Sequence, residues 1–381
     1  MKKVGICFFV VLALTIVSGG TDTFAQEVHQ DLKEIVTAEI TEIVSEGERE
    51  IEGTETRVFL QELKAKILSG SKEGEVVTFE NEIVKLEEGD IVYLHYLKTI
   101  NGDEYFLFKD YKRHLQLWLL GGLFVALLLV FSGWHGFRAL FSLGLSIGAI
   151  IFGLVPLMLA GYNPVLASLV ISGVVLACAL FITHGFNARS TIAFCGTFAA
   201  VLVTCLVAWV SVSTMRLTGF GSDASVSLNF ATNGALDFGG LLLGSIIIGI
   251  LGMLDDVSIT QVSVVRQLKA VNINLSKREL YARAIQVGKD HLGSLVNTLA
   301  LAYVGVSLPL VLLFVNADAP LALTLNQEVV AAEFVRIVVG SIGLILAVPI
   351  TTFIASWYFA KQDIVVLDTE HSDSPHLGHT H

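Results

Sequence analysis

The sequence predicts a mostly α-helical, polytopic membrane bundle of about seven spans. A signal segment and a small, exported, β-barrel-like N-terminal domain precede it. Three observations carry that expectation. Of 381 residues, 54% are apolar and only 15% are charged, against about 25% charged in soluble globular proteins. The mean hydropathy is +0.71. Charge is also unevenly spread: residues 26–113 hold about 21 acidic and about 11 basic side chains, so nearly all of the net charge of −11 lies in under a quarter of the chain. This acidity excludes a nucleic-acid partner, which needs a basic footprint. The partner expected for the oily remainder is the lipid bilayer.

Lys2 and Lys3 precede an apolar run from Val4 to Val17, followed by Ser18-Gly19-Gly20 and Thr23-Phe24-Ala25. That order of regions marks residues 1–25 as a secretory signal peptide, cut after Ala25, or as an uncleaved anchor. Its apolar core is shorter than the ~20 residues of a spanning helix. In either case the chain from residue 26 onward is exported.

Residues 26–113 read as an acidic β-rich domain. The stretches 37–44, 57–67, 75–79, 90–97 and 104–108 each mix β-branched or aromatic residues with polar ones, and Asn101-Gly102 is a hairpin signal. Five short strands predict a small barrel of the OB or SH3-like kind. His29 and His95 stand far apart in sequence and the carboxylates are scattered as on a solvated face. A binding or assembly module is therefore expected here rather than an enzyme.

The bundle occupies residues 114–360, with apolar stretches at 115–132, 137–159, 164–183, 192–214, 239–263, 293–315 and 335–358, each near the spanning length. With residue 113 outside, Arg138, Arg189, Arg266, Lys269, Lys277, Arg278, Arg283, Lys289 and Lys361 all fall in the cytoplasm. The outer loops hold Asp223, Asp237, Asp318, Glu328 and Glu333, with Arg216 and Arg336 near span ends. The positive-inside rule is thus obeyed at every loop with a signal. Cys7, Cys178, Cys195 and Cys205 all lie in apolar stretches and read as packing residues, with no disulfide framework and no CxxC metal pair. Residues 361–381 form a cytoplasmic tail whose His371, His376, His379 and His381 are weak metal candidates. Nothing there fixes a coordination geometry, so a disordered tail is expected and no metal or other cofactor is assigned.

Small-residue spacings at Gly144-x-x-x-Gly148 and Gly240-x-x-x-Gly244 permit close helix contact. One span differs from the rest by carrying adjacent acids, Asp255 and Asp256. Ending that span at Leu254 would put both at the cytoplasmic surface. Continuing it to about Val265 would leave them at membrane depth, where an aspartate costs about 2.5–3.5 kcal/mol on insertion scales. Periodicity favours the longer helix. Ser245, Gly249, Gly252, Asp256, Thr260 and Ser263 form one small or polar stripe, while Ile246, Ile247, Ile250, Leu254, Val257 and Val264 fall largely off it. A second such stripe, His291, Ser294, Thr298, Ala302, Gly305 and Pro309 with Asn297 beside it, provides a partner face. Asn297 and Thr298 are placed to hydrogen-bond an aspartate across the interface. Arg336, Gly340, Gly343 and Ala347 form a third stripe, with Arg336 expected to snorkel outward. Trp357 and Tyr358 read as interface anchors.

The runs Gly249-Ile-Leu-Gly-Met-Leu-Asp-Asp-Val-Ser-Ile-Thr-Gln261, Asn274-Leu-Ser-Lys-Arg-Glu-Leu-Tyr281 and Gly288-Lys-Asp-His-Leu-Gly-Ser-Leu-Val-Asn-Thr-Leu-Ala-Leu-Ala-Tyr-Val-Gly-Val-Ser-Leu-Pro-Leu310 resemble the bacterial YibE/F-like integral membrane family. An exported domain ahead of the spans also fits it. The resemblance implies a bacterial cytoplasmic-membrane location. A partial similarity links the span with the two acids to permeases of the resistance–nodulation–division superfamily, in which intramembrane aspartates carry protons that drive transport. Only Asp255 and Asp256 carry over from that similarity. The basic partner used there has no counterpart here, and no large porter domain lies between spans.

Two functions follow as expectations. One is a proton-coupled transporter or translocation accessory, with Asp255 and Asp256 as the proton-binding groups and Asn297 and Thr298 as relay partners. The other is a non-transporting envelope scaffold whose exported domain binds a protein. An intramembrane enzyme is not expected, since no HExxH, GxSxG or paired GxGD-type aspartates on separate spans occur, and no catalytic residue is assigned. The bundle resembles half of a two-bundle permease. A homodimer, or pairing with a related membrane subunit, is therefore expected. The transported substrate is not legible.

Overall fold

The computed structural model describes residues 32–50, 57–99, 102–316 and 320–362, and the chain divides into two compact units at Leu127/Leu128. The signal segment, His29 and the four tail histidines lie outside the described residues.

All five predicted strands form. They are β1 (Leu32–Glu50), β2 (Arg57–Ser69), β3 (Val76–Asn81), β4 (Ile91–Lys98) and β5 (Glu104–Tyr111), in one antiparallel sheet of order β3-β2-β1-β4-β5. Alternation does the sorting: Val36, Ala38 and Ile40, Leu63, Ala65 and Ile67, and Val92, Leu94 and Tyr96 are all buried on one face. β4 and β5 pair antiparallel, and the Thr99 N–H donates to the Asp103 carbonyl at 2.9 Å, while Asn101 of the predicted hairpin signal lies outside the described residues. The long β1 bends through three register shifts against β2.

The expected barrel does not close. The sheet is open, and no backbone pairing joins its outer strands β3 and β5 among the described residues. The reason is local. Asn81 ends β3 by folding the chain into a turn, accepting from the Ile83 N–H at 3.2 Å and donating to the Val84 carbonyl at 2.5 Å. The chain then leaves the sheet, and Leu86 is drawn into the core by a two-way hydrogen bond between its backbone and the Gln61 amide, at 2.8 and 3.0 Å. Side chains rather than backbone link the remaining edges: Lys72 meets Glu104 at 3.1 Å and the Tyr111 hydroxyl donates to the Lys85 carbonyl at 2.8 Å.

The helices of the other unit are α1 (His114–Leu159, begun in the sheet unit), α2 (Pro164–Ile182), α3 (Ala188–Thr214), α4 (Asp223–Ala231), α5 (Phe238–Val271), α6 (Lys277–Val306), α7 (Leu308–Val315), α8 (Leu321–Leu325) and α9 (Glu328–Phe359). Five of them, α1, α2, α3, α5 and α9, are long and apolar enough to cross a membrane. A sixth crossing is added if α6 and α7, bent by 69° at their junction, count as one. The count of seven is therefore not reached by length and composition. Two of the expected spans, 115–132 and 137–159, fall within the 46 residues of α1. That helix breaks at Gly133 (φ 51°, ψ −131°). A Cβ on Gly136 would stand 2.6 Å from the Leu128 carbonyl oxygen, whereas residues eight apart in a straight helix are separated by about 12 Å of rise.

Helix starts follow their caps. Asn163, Asn187 and Asp237 accept backbone N–H bonds at the heads of α2, α3 and α5, and Ser276 forms a capping box with Glu279 on α6. Helix α5 occupies the middle of the unit and packs on α2, α3, α6 and α9. Its buried side is Ile246, Ile247, Ile250, Leu254 and Val257. Close approach depends on small residues. A Cβ on Gly244 would lie 2.3 Å from the Ser168 hydroxyl, so this member of the Gly240/Gly244 pair works inside the chain, while Gly144 faces open space.

Candidate functional site

Helix α5 runs without interruption past the two acids to Val271. The helix therefore does not end at Leu254, and the continuous helix to about Val265 that periodicity favours is present. Asp255 and Asp256 sit near the middle of its 34 residues, one turn before Ile259, which packs with Leu180 of α2 and Ile192 of α3.

Both acids line a cleft of about 390 Å³ whose walls are α5, the second half of α1 and the last turns of α2. Ser142 and Ser146 reach it from one face of α1, four residues apart, and Thr183 and His184 from the end of α2. Ile150, Val175, Leu176 and Ile248 supply apolar wall. Asp255 is half-buried and Asp256 more open, and the Asp256 N–H donates to Asp255 Oδ1 at 2.9 Å. Arg138 fixes the α1–α2 side by donating from Nε to the Ile182 carbonyl at 2.7 Å. That bond satisfies a carbonyl at the C-terminus of α2, where a cation is favoured. His184, in the loop beyond α2, is pushed below its ordinary value by partial burial and by Arg189 and Arg138, with Asp256 opposing.

The side of α5 away from the cleft is tied into the bundle by polar contacts. Ser258 and Thr351 share a hydrogen bond at 3.2 Å, and Gln261 Nε2 donates to the Ala284 carbonyl of α6 at 2.7 Å. Lys269, buried, donates to the Ile273 carbonyl and lies 3.4 and 3.5 Å from the carbonyls of Leu275 and Ala360. These bonds hold the helix in rotation, and rotation decides which wall the acids face.

The residues expected to join the aspartates do not meet them. Asn297 and Thr298 lie on the exposed side of α6, outside the cleft lining, and the Thr298 hydroxyl donates to its own helix at the Ser294 carbonyl, 2.9 Å away. Arg336 is half-buried and pairs with Glu333 one turn away on α9. The groups that do line the cleft, Ser142, Ser146, Thr183 and His184, went unremarked in the sequence. The available signal was the Ser142/Ser146 spacing within an otherwise Leu- and Gly-rich span.

A family model described as YibE/F-like protein matches residues 120–361, more than half of the chain. The chain belongs to the YibE/F-like family. All residues lining the cleft fall within that match, whereas the five strands lie outside it. YibE/F-like membership and the apolar helices together mark a multi-pass membrane protein. No curated protein and no solved structure matches the chain.

Proposed function

We propose that this YibE/F-like protein is a proton-coupled transporter or translocation accessory of the bacterial cytoplasmic membrane, in which Asp255 and Asp256 take up and release protons. The observation that carries the reading is a pair of adjacent acids on an uninterrupted spanning helix, facing a cleft lined otherwise by hydroxyls, His184 and apolar side chains. Ionisable groups within spans are costly, and they mark ion pathways and proton relays. His184, at the end of α2, lines the same cleft as the acids. The partial similarity of this helix to the resistance–nodulation–division permeases supports the same role.

The proposed topology has seven spans, with α1 crossing twice about Gly133 and α6–α7 forming one bent crossing. The sheet is extracytoplasmic and the C-terminus cytoplasmic, as the distribution of Arg and Lys requires. A second copy, or a related membrane subunit, covers the small and polar outer side of α6. The sheet meets cargo or partner.

The test is proton uptake by the full chain in proteoliposomes after a pH jump. Asp255→Asn and Asp256→Asn together are expected to abolish it while membrane insertion stays normal. Uptake that survives in the double variant overturns the reading. Cysteine labelling along Val257–Val264 checks depth separately, since free access from the cytoplasmic side would place the segment in water.

The scaffold reading has one observation of its own. Ile35, His95 and Leu107 stand in register across β1, β4 and β5, flanked by exposed Tyr105. That row suits a protein partner, and a functional double variant would favour it.

A further inference from the structure

We infer that the cleft beside Asp255 and Asp256 receives a small organic ammonium ion, its charged head against the acids and its hydrocarbon body directed along the helices toward Ile150 and Ile248. The inference rests on the proton-carrier reading above and names the class of substrate for that site. Its volume, about 390 Å³, falls at the small end of the roughly 300–1,000 Å³ typical of ligand sites.

The polar lining residues lie toward one part of the cleft, flanked there by Ala139 and Ile259, and the other end is apolar on all three walls. From Ser142 to Ile150, from Asp256 to Ile248 and from His184 to Val175 the chain passes from polar to apolar over eight or nine residues, a rise of roughly 12 Å. An ammonium with an apolar body matches both ends. A dehydrated metal ion does not, because it needs about six oxygens around it, and here the oxygens are confined to one end. An anion is refused by two carboxylates.

Ser142 adds an independent sign of a missing partner. It is only 4% exposed, lines the cleft, and its hydroxyl makes no hydrogen bond among the described residues. That hydroxyl opens on the cleft and is free to accept from an ammonium N–H held by the acids. Proton and ammonium would neutralise the same carboxylates, so each excludes the other. Binding of the organic cation then expels a proton, which couples the two species without any covalent step.

The experiment uses the full chain purified in detergent, with benzylammonium as probe and benzyl alcohol and sodium chloride as controls. The readout is the thermal unfolding midpoint titrated at mildly acidic and mildly alkaline pH. Benzylammonium is expected to raise the midpoint, more strongly at the alkaline end, with affinity weakened roughly 10-fold by Ser142→Ala and lost in the Asp255→Asn/Asp256→Asn variant. An equal shift with benzyl alcohol or with sodium, or a benzylammonium shift indifferent to pH, overturns the inference. The pH comparison is made on the unaltered chain, so it decides even if the double variant fails to fold. Proton uptake without probe is measured in parallel with a pH-sensitive dye. Uptake present with benzylammonium silent removes the ammonium site alone, whereas absent uptake removes the proton-carrier reading.

Discussion

The outward sides of α3 and α9 and those of α5 and α6 are built on opposite rules. On α3 the exposed residues include Leu202, Val203, Leu206 and Trp209, and on α9 they include Phe334, Ile345, Phe353 and Trp357. Those faces suit lipid. On α5 the exposed residues include Ser245, Gly249, Gly252, Asp256 and Thr260, and on α6 Gly293, Ser294, Asn297, Thr298 and Ala302. Within hydrocarbon such groups want protein or water beside them. Part of the α5 face has both acids and Gly252 in the cleft. On α6, a Cβ built on Gly293 or Gly305 would meet no atom of the described residues within 4 Å. The contrast teaches that α3 and α9 turn large apolar side chains outward, whereas the exposed sides of α5 and α6 add small and polar groups, the faces proposed above to meet a ligand and a second chain.

The largest expected effect tests the packed side. A Cβ on Gly343 would lie 2.6 Å from the Thr204 hydroxyl and 3.0 Å from its methyl, both fixed on the neighbouring α3. Gly343→Leu should therefore force α3 and α9 apart, costing about 3 kcal/mol, the upper end of ordinary overpacking. The check is the fraction of monodisperse protein after detergent extraction and its unfolding midpoint. Normal extraction with an unchanged midpoint would mean that α3 and α9 are not held as described.

A middle-sized effect tests the open side. The Cβ of Gly293→Leu would meet no atom of the described residues within 4 Å, so the unfolding midpoint should hold. If a second copy packs on α6, the same bulk should weaken association about tenfold, equivalent to about 1.4 kcal/mol. Cross-linking in native membranes and size in detergent read that out. Association that is indifferent to Gly293→Leu would remove α6 from the pairing surface.

What was legible in the sequence follows the same division. The five strands could be read because a period of two sorts Val36, Ala38 and Ile40 from their neighbours without knowledge of anything distant. Closure of the sheet could not, since it turns on the side chain of Asn81 ending β3. The uninterrupted run of α5 past Asp255 and Asp256 was visible in its periodicity, as was the existence of a polar stripe on α6. The direction of those stripes was not. Lipid tails are as apolar as a protein core, so a helix with one oily and one small-polar side does not announce which side turns inward. The small faces of α5 and α6 were expected to meet. Instead Ile246, Ile247 and Ile250 turn into the bundle, and the acids face α1 and α2. Ser142 and His184 belong to helices more than seventy residues upstream of Asp255, and nothing local links them to it.

The smallest effect reverses sign between the two sides and so tests the contrast with a single methyl group. Glycine inside a helix costs about 0.5–1 kcal/mol relative to alanine, because it loses more backbone freedom on folding. At Gly293 the added Cβ meets nothing, so Gly293→Ala should stabilise the isolated chain by up to that amount. At Gly343 the same gain is offset by a methyl pressed to 2.6 Å from Thr204 Oγ1, a contact on a branched side chain with little freedom to withdraw. Gly343→Ala should therefore lower the unfolding midpoint while Gly293→Ala raises it. The comparison is made in dilute detergent, where pairing between copies does not contribute. Two shifts of the same sign would erase the distinction between a packed and an open helix face. Opposite shifts, with Gly293→Ala losing its advantage at concentrations where copies associate, would place a second chain within a methyl's reach of α6.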